Sequence, residues 1–273
     1  ADQSMYMIGI SLDEMNRPDQ SALVYQRFLD KFPNSRLVDE VSWRLAEVYY
    51  DQREIKKSAE LYESIIALGD SDFRYKAVYK LGASYFEAKL YKTALPYFQK
   101  LHAWTKDQKF TDPELKTFYE ESLEYMGILY EKGLPVELKS EDLAKSVLSL
   151  ASIYRRDAQE KLARRVMKKF LSDFPTTPLA PELSTEIINS YMSEGRYARA
   201  NQFRTLSLKA LEDGSPWWIE NKSYREASFE AQDFLESQTL AAAQYLVATG
   251  LEKKNATQKN LGRRRYYQFL KNY

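Results

Sequence analysis

Large apolar residues recur along most of the chain at spacings of three and four residues. The stretch that begins at Leu81 shows this best, with apolar positions at Leu81, Tyr85, Tyr91, Phe98 and Leu101. This period places the apolar side chains on one stripe of a helix, so the pattern predicts amphipathic helices and an all-α fold. Glycine and proline number only nine each, a sparse use of helix breakers that also favours a mostly helical chain.

The same helical frame repeats. Small residues stand at one position of three successive copies, Gly9, Ala46 and Gly82, at intervals of 37 and 36 residues. A second position is also occupied by small residues, in these three copies and in two later ones, at Ser21, Ser58, Ala94, Ala163 and Ala200. Each small side chain leaves room for a neighbouring helix. One helical hairpin cannot bury its apolar face alone, whereas a stack of hairpins buries a continuous core.

Two of the copies end in a shared phrase, F-L-D-K-F-P from Phe28 to Pro33 and F-L-S-D-F-P from Phe170 to Pro175. We expect the aromatic residues to pack the last turn of a second helix and the proline to stop it. The sequence closes on F-L-K-N-Y at Tyr273, a related phrase without proline. This favours a natural chain that continues past Tyr273, although a capping helix at a true C-terminus would also explain it.

The frame around Leu81, with its small residues Gly82 and Ala94, resembles a tetratricopeptide repeat, a family with a period of about 34 residues. The resemblance implies a right-handed α-solenoid of stacked helical hairpins. The phrase F-x-x-F-P followed by N-S is similar to helix endings in envelope tetratricopeptide proteins of Gram-negative bacteria. We therefore expect a periplasmic protein, with the cytoplasm as the alternative.

The frame is regular in some parts of the chain and irregular in others. We predict repeats in residues 1–108 and 157–212, an irregular helical segment in residues 109–156 and degenerate helices in residues 213–273, all within one continuous solenoid. In the irregular parts the pattern predicts helices near residues 114–132, 141–155, 224–249 and 257–272. The pairing of helices between residues 109 and 156 stays open. Trp217 and Trp218 are interpreted as core residues of an irregular hairpin.

The residue inventory argues against most catalytic chemistry. The chain has no cysteine and a single histidine, His102, so thiol nucleophiles and cysteine- or histidine-rich zinc sites are excluded. We predict no enzyme activity, no metal site and no cofactor. The alternative is that the chain is the helical superstructure of a larger enzyme, such as a cell-wall lytic enzyme. No apolar run reaches the length of about 18 residues that spans a bilayer.

Charge is balanced over the whole chain but not at its C-terminal end. The formal net charge is +1, so a nucleic-acid partner is not expected. A basic patch is predicted near the end, at Lys253, Lys254, Lys259, Arg263, Arg264 and Arg265. The patch is interpreted either as a dock for an anionic partner or surface or as a solvated helix face. Consecutive arginines point about 100° apart on a helix, which favours the solvated face.

The first helices of tetratricopeptide hairpins line the concave face of the array. The resemblance places partner-binding residues on this face, at Trp43, Glu47, Tyr50, Asp51, Tyr79, Phe86, Glu87, Arg155 and Arg156. We predict a non-enzymatic scaffold that binds a segment of a protein partner there, within a multiprotein assembly of the cell envelope that is associated with a membrane. The alternative is that the four aromatic residues of this set pack between neighbouring hairpins. Glu47, Asp51 and Glu87 have the wrong sign for the carboxylate clamp of chaperone-binding family members.

Overall fold

A computed structural model describes residues 1–108 and 112–272 of the chain. Within these residues the regular secondary structure consists of fourteen α-helices, which confirms the predicted all-α fold. The helices are α1 (Asp2–Glu14), α2 (Pro18–Lys31), α3 (Val38–Asp51), α4 (Ile55–Leu68), α5 (Arg74–Glu87), α6 (Tyr91–Thr105), α7 (Pro113–Glu131), α8 (Ser140–Arg156), α9 (Glu160–Asp173), α10 (Ala180–Ser193), α11 (Tyr197–Leu211), α12 (Pro216–Asn221), α13 (Arg225–Glu252) and α14 (Ala256–Asn272).

Helices that follow each other through short turns pack side by side as hairpins. The pairs are α1 with α2, α3 with α4, α5 with α6, α8 with α9, α10 with α11 and α13 with α14. The second helix of a hairpin also packs on the first helix of the next, as α2 does on α3 and α4 on α5. This stacking confirms the predicted solenoid of helical hairpins, while its right-handed sense stays a prediction.

Contacts divide the chain into two compact units, with the boundary between Glu137 and Leu138. The boundary falls inside the segment that the sequence marks as irregular, 109–156. Helix α7 belongs to the first unit, where it packs on α6 and α5, and α8 belongs to the second unit, where it opens the hairpin with α9. The predicted division into four parts otherwise stays a prediction.

The core of the first unit is built from large side chains where the second helix of one hairpin meets the first helix of the next. Tyr25, Phe28 and Leu45 are fully buried where α2 meets α3, and Tyr62 and Leu81 are fully buried where α4 meets α5. These positions lie on the apolar stripes that the sequence period predicts. Hydrophobic burial across successive hairpins therefore holds the stack together.

The shared phrase ends α2 and α9 in the same way. The backbone N–H of Phe32 donates to the carbonyl of Phe28 at 2.8 Å, and the two rings lie 5.4 Å apart. The equivalent rings of Phe170 and Phe174 lie 5.0 Å apart. The aromatic pairs thus close the helix ends as predicted. Of the third phrase, Phe269 lies half-buried on α14, and Tyr273 lies outside the described residues, as do residues 109–111 of the predicted loop.

Helix α12, in the second unit, is not predicted from the sequence. The Ser215 hydroxyl caps it by accepting from the backbone N–H of Trp218 at 3.2 Å. Trp217 is only 1% exposed, and its indole N–H donates to the carbonyl oxygen of Thr177 at 2.7 Å. Trp218 is half-buried against the same apolar cluster. Both tryptophans are core residues, as predicted.

Candidate partner-binding groove

One face of α3 forms the centre of a groove in the first unit. Glu40, Trp43, Glu47 and Asp51 recur on α3 at intervals of three and four residues, so they lie along one side of the helix. The groove has a volume of about 530 Å³. It is lined by Asp13, Asn16, Pro18, Glu40, Trp43, Arg44, Glu47, Val48, Asp51, Gln52 and Phe73. Four carboxylates and one guanidinium therefore face a shared space that also has an aromatic wall.

The aromatic wall consists of Trp43 and Phe73. Their ring centroids lie 5.7 Å apart with an interplanar angle of 19°, a stacked arrangement. Trp43 also contacts the ring of Tyr62 at 5.6 Å. The indole is half-buried, so it packs against the next hairpin and still lines the groove. Trp43 therefore packs between neighbouring hairpins and also lines the groove.

Tyrosine hydroxyls orient three of the groove carboxylates. The hydroxyl of Tyr25 donates to Asp13 at 2.6 Å, that of Tyr62 donates to Glu47, and that of Tyr6 donates to Glu40. Each of these tyrosines has a pKa raised above the usual tyrosine range, first by burial and then by the adjacent carboxylate. The phenols therefore stay neutral at ordinary pH. They fix the carboxylates in place without cancelling their negative charge.

Two cations offset part of that charge. The Arg44 guanidinium lies 3.1 Å from Glu40, one helical turn away. The Lys80 ammonium, on α5, lies 2.8 Å from one carboxylate oxygen of Glu47, while Tyr62 occupies the other. Asp51 is exposed at the end of α3. Asp51 and Asp13 thus contribute most of the uncompensated charge in the groove.

Tyr50 and Glu87 are also brought together, although they do not line this groove. The Tyr50 hydroxyl lies 3.1 and 3.2 Å from the two carboxylate oxygens of Glu87, and Lys80 lies 4.8 Å from the centre of the Tyr50 ring. Burial and the charge of Glu87 raise the pKa of Tyr50. The contact links α3 to α5 and so stabilises the packing of these two neighbouring first helices.

Tyr79 and Phe86 pack against α7. The ring of Tyr125 lies 5.0 Å from Phe86 and 6.2 Å from Tyr79, and Phe118 lies 5.8 Å from Tyr79. Both predicted residues are half-buried. The structure thus gives these two rings packing partners in the first unit and places them outside the lining of the groove around Trp43.

In the second unit, Arg155 and Arg156 have different surroundings. Arg155 forms an ion pair with Glu186 of α10, and its guanidinium lies 3.9 Å from the sulfur of Met167. Arg156 is exposed, and its guanidinium is 4.0 Å from the carboxylate of its neighbour Asp157. Arg155 therefore ties α8 to α10, whereas Arg156 projects into solvent.

The predicted basic patch is spread around the last hairpin. Lys253 and Lys254 lie in the turn that joins α13 to α14, and the other four residues lie on α14. Arg263 borders an apolar groove of about 500 Å³ whose wall includes Leu251 and Tyr267. Arg264 is exposed and Arg265 is half-buried. The three consecutive arginines thus differ in their surroundings, as the helical spacing predicts.

Sequence reasoning missed Asp13, Arg44 and Phe73 as members of the groove. Arg44 follows Glu40 by one turn, so the spacing predicts that the two side chains lie on the same face of α3. Asp13 lies in the last turn of α1 and Phe73 precedes α5, and no local pattern marks either residue. Their positions follow from how three hairpins stack.

The structure offers little for catalysis or metal binding in the part of the chain that it describes. No group of three or more histidine or acidic residues there is arranged to hold a metal ion. His102 is buried, and its ring stacks on Tyr119 with centroids 5.2 Å apart. None of the helices described is both long and apolar enough to cross a membrane.

Comparison with protein families identifies the repeats. Residues 3–35 match one model described as a tetratricopeptide repeat, and residues 44–107 match a second with the same description. Residues 3–35 and 44–107 therefore contain tetratricopeptide repeats. The matched segments contain all the residues that line the groove except Glu40 and Trp43. The tetratricopeptide fold is in general a non-catalytic scaffold for protein–protein interaction, so this chain has the architecture of an interaction scaffold.

Solved structures show only low similarity to this chain. A tetratricopeptide repeat protein from Parabacteroides merdae is 12% identical, with coverage of 96% of this chain and 98% of that one and a TM-score of 0.37. MamA is 17% identical, covering 74% and 94%, with a TM-score of 0.36. PilF of Pseudomonas aeruginosa is 16% identical, covering 95% of each chain, with a TM-score of 0.32. Similarities at this level carry no argument about function. A search of curated proteins found no match.

Proposed function

We propose that this protein is a non-enzymatic scaffold that binds a segment of a protein partner in the groove around Trp43, within a multiprotein assembly of the cell envelope. The observation that carries the proposal is the groove itself. It combines a stacked aromatic wall with carboxylates oriented by tyrosines, on the first helices of a tetratricopeptide array. Aromatic anchors beside a few fixed polar groups are typical of sites that bind peptide segments.

Site-specific photo-crosslinking in cells tests where the partner binds. A photoreactive amino acid replaces Gln52, a half-buried residue that lines the groove, in one variant and Glu60, which is exposed on the second helix α4, in a matched control. We expect a defined protein to crosslink at position 52 and not at position 60. Equal crosslinking at both positions would show that partners do not approach through the groove.

The compartment is part of the same proposal. The periplasmic location is supported by the phrase F-P-N-S at the end of α2, which is similar to that of envelope proteins of this family. Osmotic-shock fractionation of cells that express the natural gene tests it. We expect release with a periplasmic marker, and retention with a cytoplasmic marker would refute this part of the proposal.

A second candidate function, binding to an anionic surface, is favoured by the last hairpin. Leu251 and Tyr267 are 55% and 63% exposed, and both line an apolar groove bordered by Arg263. Exposed apolar and cationic side chains together suit an anionic lipid surface. Sedimentation with phosphatidylglycerol vesicles, compared with phosphatidylcholine vesicles, tests this function. An Arg263→Glu/Arg264→Glu variant is expected to lose binding, and equal binding to both lipids would exclude the function.

A further inference from the structure

We infer that the groove around Trp43 takes a basic, extended segment, which stacks an arginine side chain on the Trp43 ring and pairs a second basic side chain with the Asp51 carboxylate. The inference rests on the proposed scaffold function and adds the chemistry of the partner.

The charge of the groove is the first argument. Four carboxylates line it, and the pairs of Glu40 with Arg44 and of Glu47 with Lys80 leave the charges of Asp13 and Asp51 without a cation among the described residues. Tyr25 holds one oxygen of Asp13 at 2.6 Å as a neutral donor, so the charge of that carboxylate persists. Charges in a partly desolvated cleft interact more strongly than charges in open water. The groove therefore attracts a cationic segment and repels an acidic one.

The aromatic wall is the second argument, because it selects the kind of cation. Trp43 precedes Glu47 by one turn and Asp51 by two turns, about 12 Å, on the same face of α3, so one extended segment can reach both the ring and Asp51. A guanidinium stacks on an indole face and pairs with a carboxylate through two parallel hydrogen bonds. A lysine ammonium is a compact point charge without a planar face. We therefore expect arginine to be preferred over lysine.

The position of each carboxylate decides its role. Lys80 and Tyr62 already occupy one oxygen each of Glu47, at 2.8 Å for Lys80. Glu47 is therefore held rigidly and contributes mainly through its field. Asp51 is exposed at the rim, where it is accessible to a donor from outside. Asp51 is the acceptor that we assign to the second basic side chain of the partner segment.

The length of the groove fits an extended segment. Glu40 and Asp51 are eleven residues apart on α3, which corresponds to roughly 16 Å along the helix axis. An extended chain rises about 3.3 Å per residue, so about five residues pass the row of carboxylates. The volume of about 530 Å³ lies in the range of clefts that hold ligands of this size. A segment with more than one basic residue can therefore contact carboxylates at both ends of the row.

The test uses the full chain and pools of labelled ten-residue peptides, each pool with one fixed amino acid at one position and mixed residues elsewhere. Retained peptide is measured for pools fixed as arginine, lysine, glutamate, aspartate or leucine, at low and at physiological salt. We expect arginine pools to be retained most, lysine pools several-fold less, and acidic pools least. Retention is expected to weaken as salt rises.

Variants assign the preference to the groove. An Asp51→Asn/Glu47→Gln variant is expected to lower the retention of arginine pools about tenfold and to leave leucine pools nearly unchanged. Trp43→Leu is expected to reduce the preference for arginine over lysine, with circular dichroism to check that the chain remains helical. Glu60→Gln is the matched control, because it removes one exposed carboxylate from α4, outside the groove lining.

The outcomes separate this inference from the proposed function. Retention without a basic preference, or with an acidic one, would overturn the inference and leave the scaffold function in place. A basic preference that the Asp51→Asn/Glu47→Gln variant retains in full would overturn the assignment to this groove. If no pool is retained above the level of an unrelated control protein, the inference and the proposed peptide-binding function both fail.

Discussion

Several hairpin turns contain one residue in the left-handed backbone conformation, with positive φ, which is unfavourable for residues with a Cβ atom. Arg53, Lys89 and Ala158 have φ values of 64°, 62° and 58°, and each follows a first helix of a hairpin. In each turn, the N–H of the next residue donates to a carbonyl five residues earlier, as from Gln159 to Tyr154 at 2.6 Å. This is the Schellman motif, in which glycine is the usual residue at the left-handed position. Gly195 fills this position in the hairpin of α10 and α11.

The left-handed turn predicts a stabilising substitution at Ala158. A residue with a Cβ in this conformation costs about 1–2 kcal/mol, and glycine avoids most of that cost. We expect Ala158→Gly to stabilise the second unit by roughly 0.5–1 kcal/mol after the added entropy of the unfolded glycine is subtracted. Thermal and urea unfolding, followed by circular dichroism, measure the change.

The matched control for this substitution is Ala88→Gly. Ala88 is the C-cap of α5 with φ −69°, a conformation that alanine adopts without strain. The same change there is expected to destabilise the protein, because glycine only adds entropy to the unfolded chain. Equal effects at Ala88 and Ala158 would contradict the explanation from backbone strain.

At the scale of elements, sequence periodicity predicts long helices well and short ones poorly. The helices predicted near residues 114–132 and 141–155 correspond to α7 and α8. Helix α12 has six residues, fewer than two turns, so no apolar period could reveal it. The groove was predicted in part. Trp43, Glu47 and Asp51 follow from the positions of the family, whereas Phe73 and Asp13 depend on how neighbouring hairpins stack.

The hairpin of α13 and α14 is held by close approach of its two backbones. A Cβ atom at Gly250 would lie 2.4 Å from the backbone nitrogen of Lys259, and one at Gly262 would lie 2.7 Å from that of Val247. Backbone atoms cannot move aside as side chains do. Two glycines, one on each helix, therefore allow α14 to pack on α13 with little apolar burial of its own.

This close approach predicts that Gly250→Ala loosens α14. In an isolated helix, alanine is more stable than glycine by about 1 kcal/mol. In this hairpin, however, the Cβ of alanine forces the two backbones apart. We expect faster hydrogen–deuterium exchange along α14 and the facing half of α13. Overpacking of this kind typically costs about 1–3 kcal/mol.

Gly82→Ala provides the comparison for the same change. A Cβ at Gly82 would lie 3.1–3.2 Å from side-chain atoms of Phe98 and Tyr97, which can give way by a few tenths of an ångström. We expect a smaller effect there, since the gain in helix propensity offsets a mild contact. If Gly250→Ala leaves the exchange of α14 unchanged, the backbone approach does not hold this hairpin.

At the scale of the whole molecule, a net charge near zero conceals separate charged regions. The formal net charge is +1, yet the groove of the first unit is lined by four carboxylates and one guanidinium. Between Leu251 and Tyr273 the sequence has seven lysines and arginines against one glutamate. Whole-chain charge therefore says little about partners here. The local electrostatic field of each region decides which partner binds there. Peptide pools test the field of the groove, and anionic vesicles test the field of the last hairpin.

The division into two units predicts that the first unit folds alone. It has its own buried clusters, around Leu45, Tyr62 and Leu101, and the residues that line the groove all lie within it. We expect residues 1–137, expressed alone, to be helical by circular dichroism, to unfold cooperatively and to keep the preference for arginine pools.

A chain that ends at Asp112 is the matched control for this fragment. It lacks α7, which packs on α5 and α6 and helps to bury Leu101. Removal of that helix exposes apolar surface at the end of the stack, as in repeat arrays that lose their terminal repeat. We expect the shorter chain to melt at a lower temperature or to aggregate. If the 1–137 fragment is unfolded, or if both fragments are equally stable, Glu137 does not mark the end of an independently folding unit. An unfolded 1–137 fragment would mean that hydrophobic burial inside the first unit is insufficient to offset its loss of chain entropy.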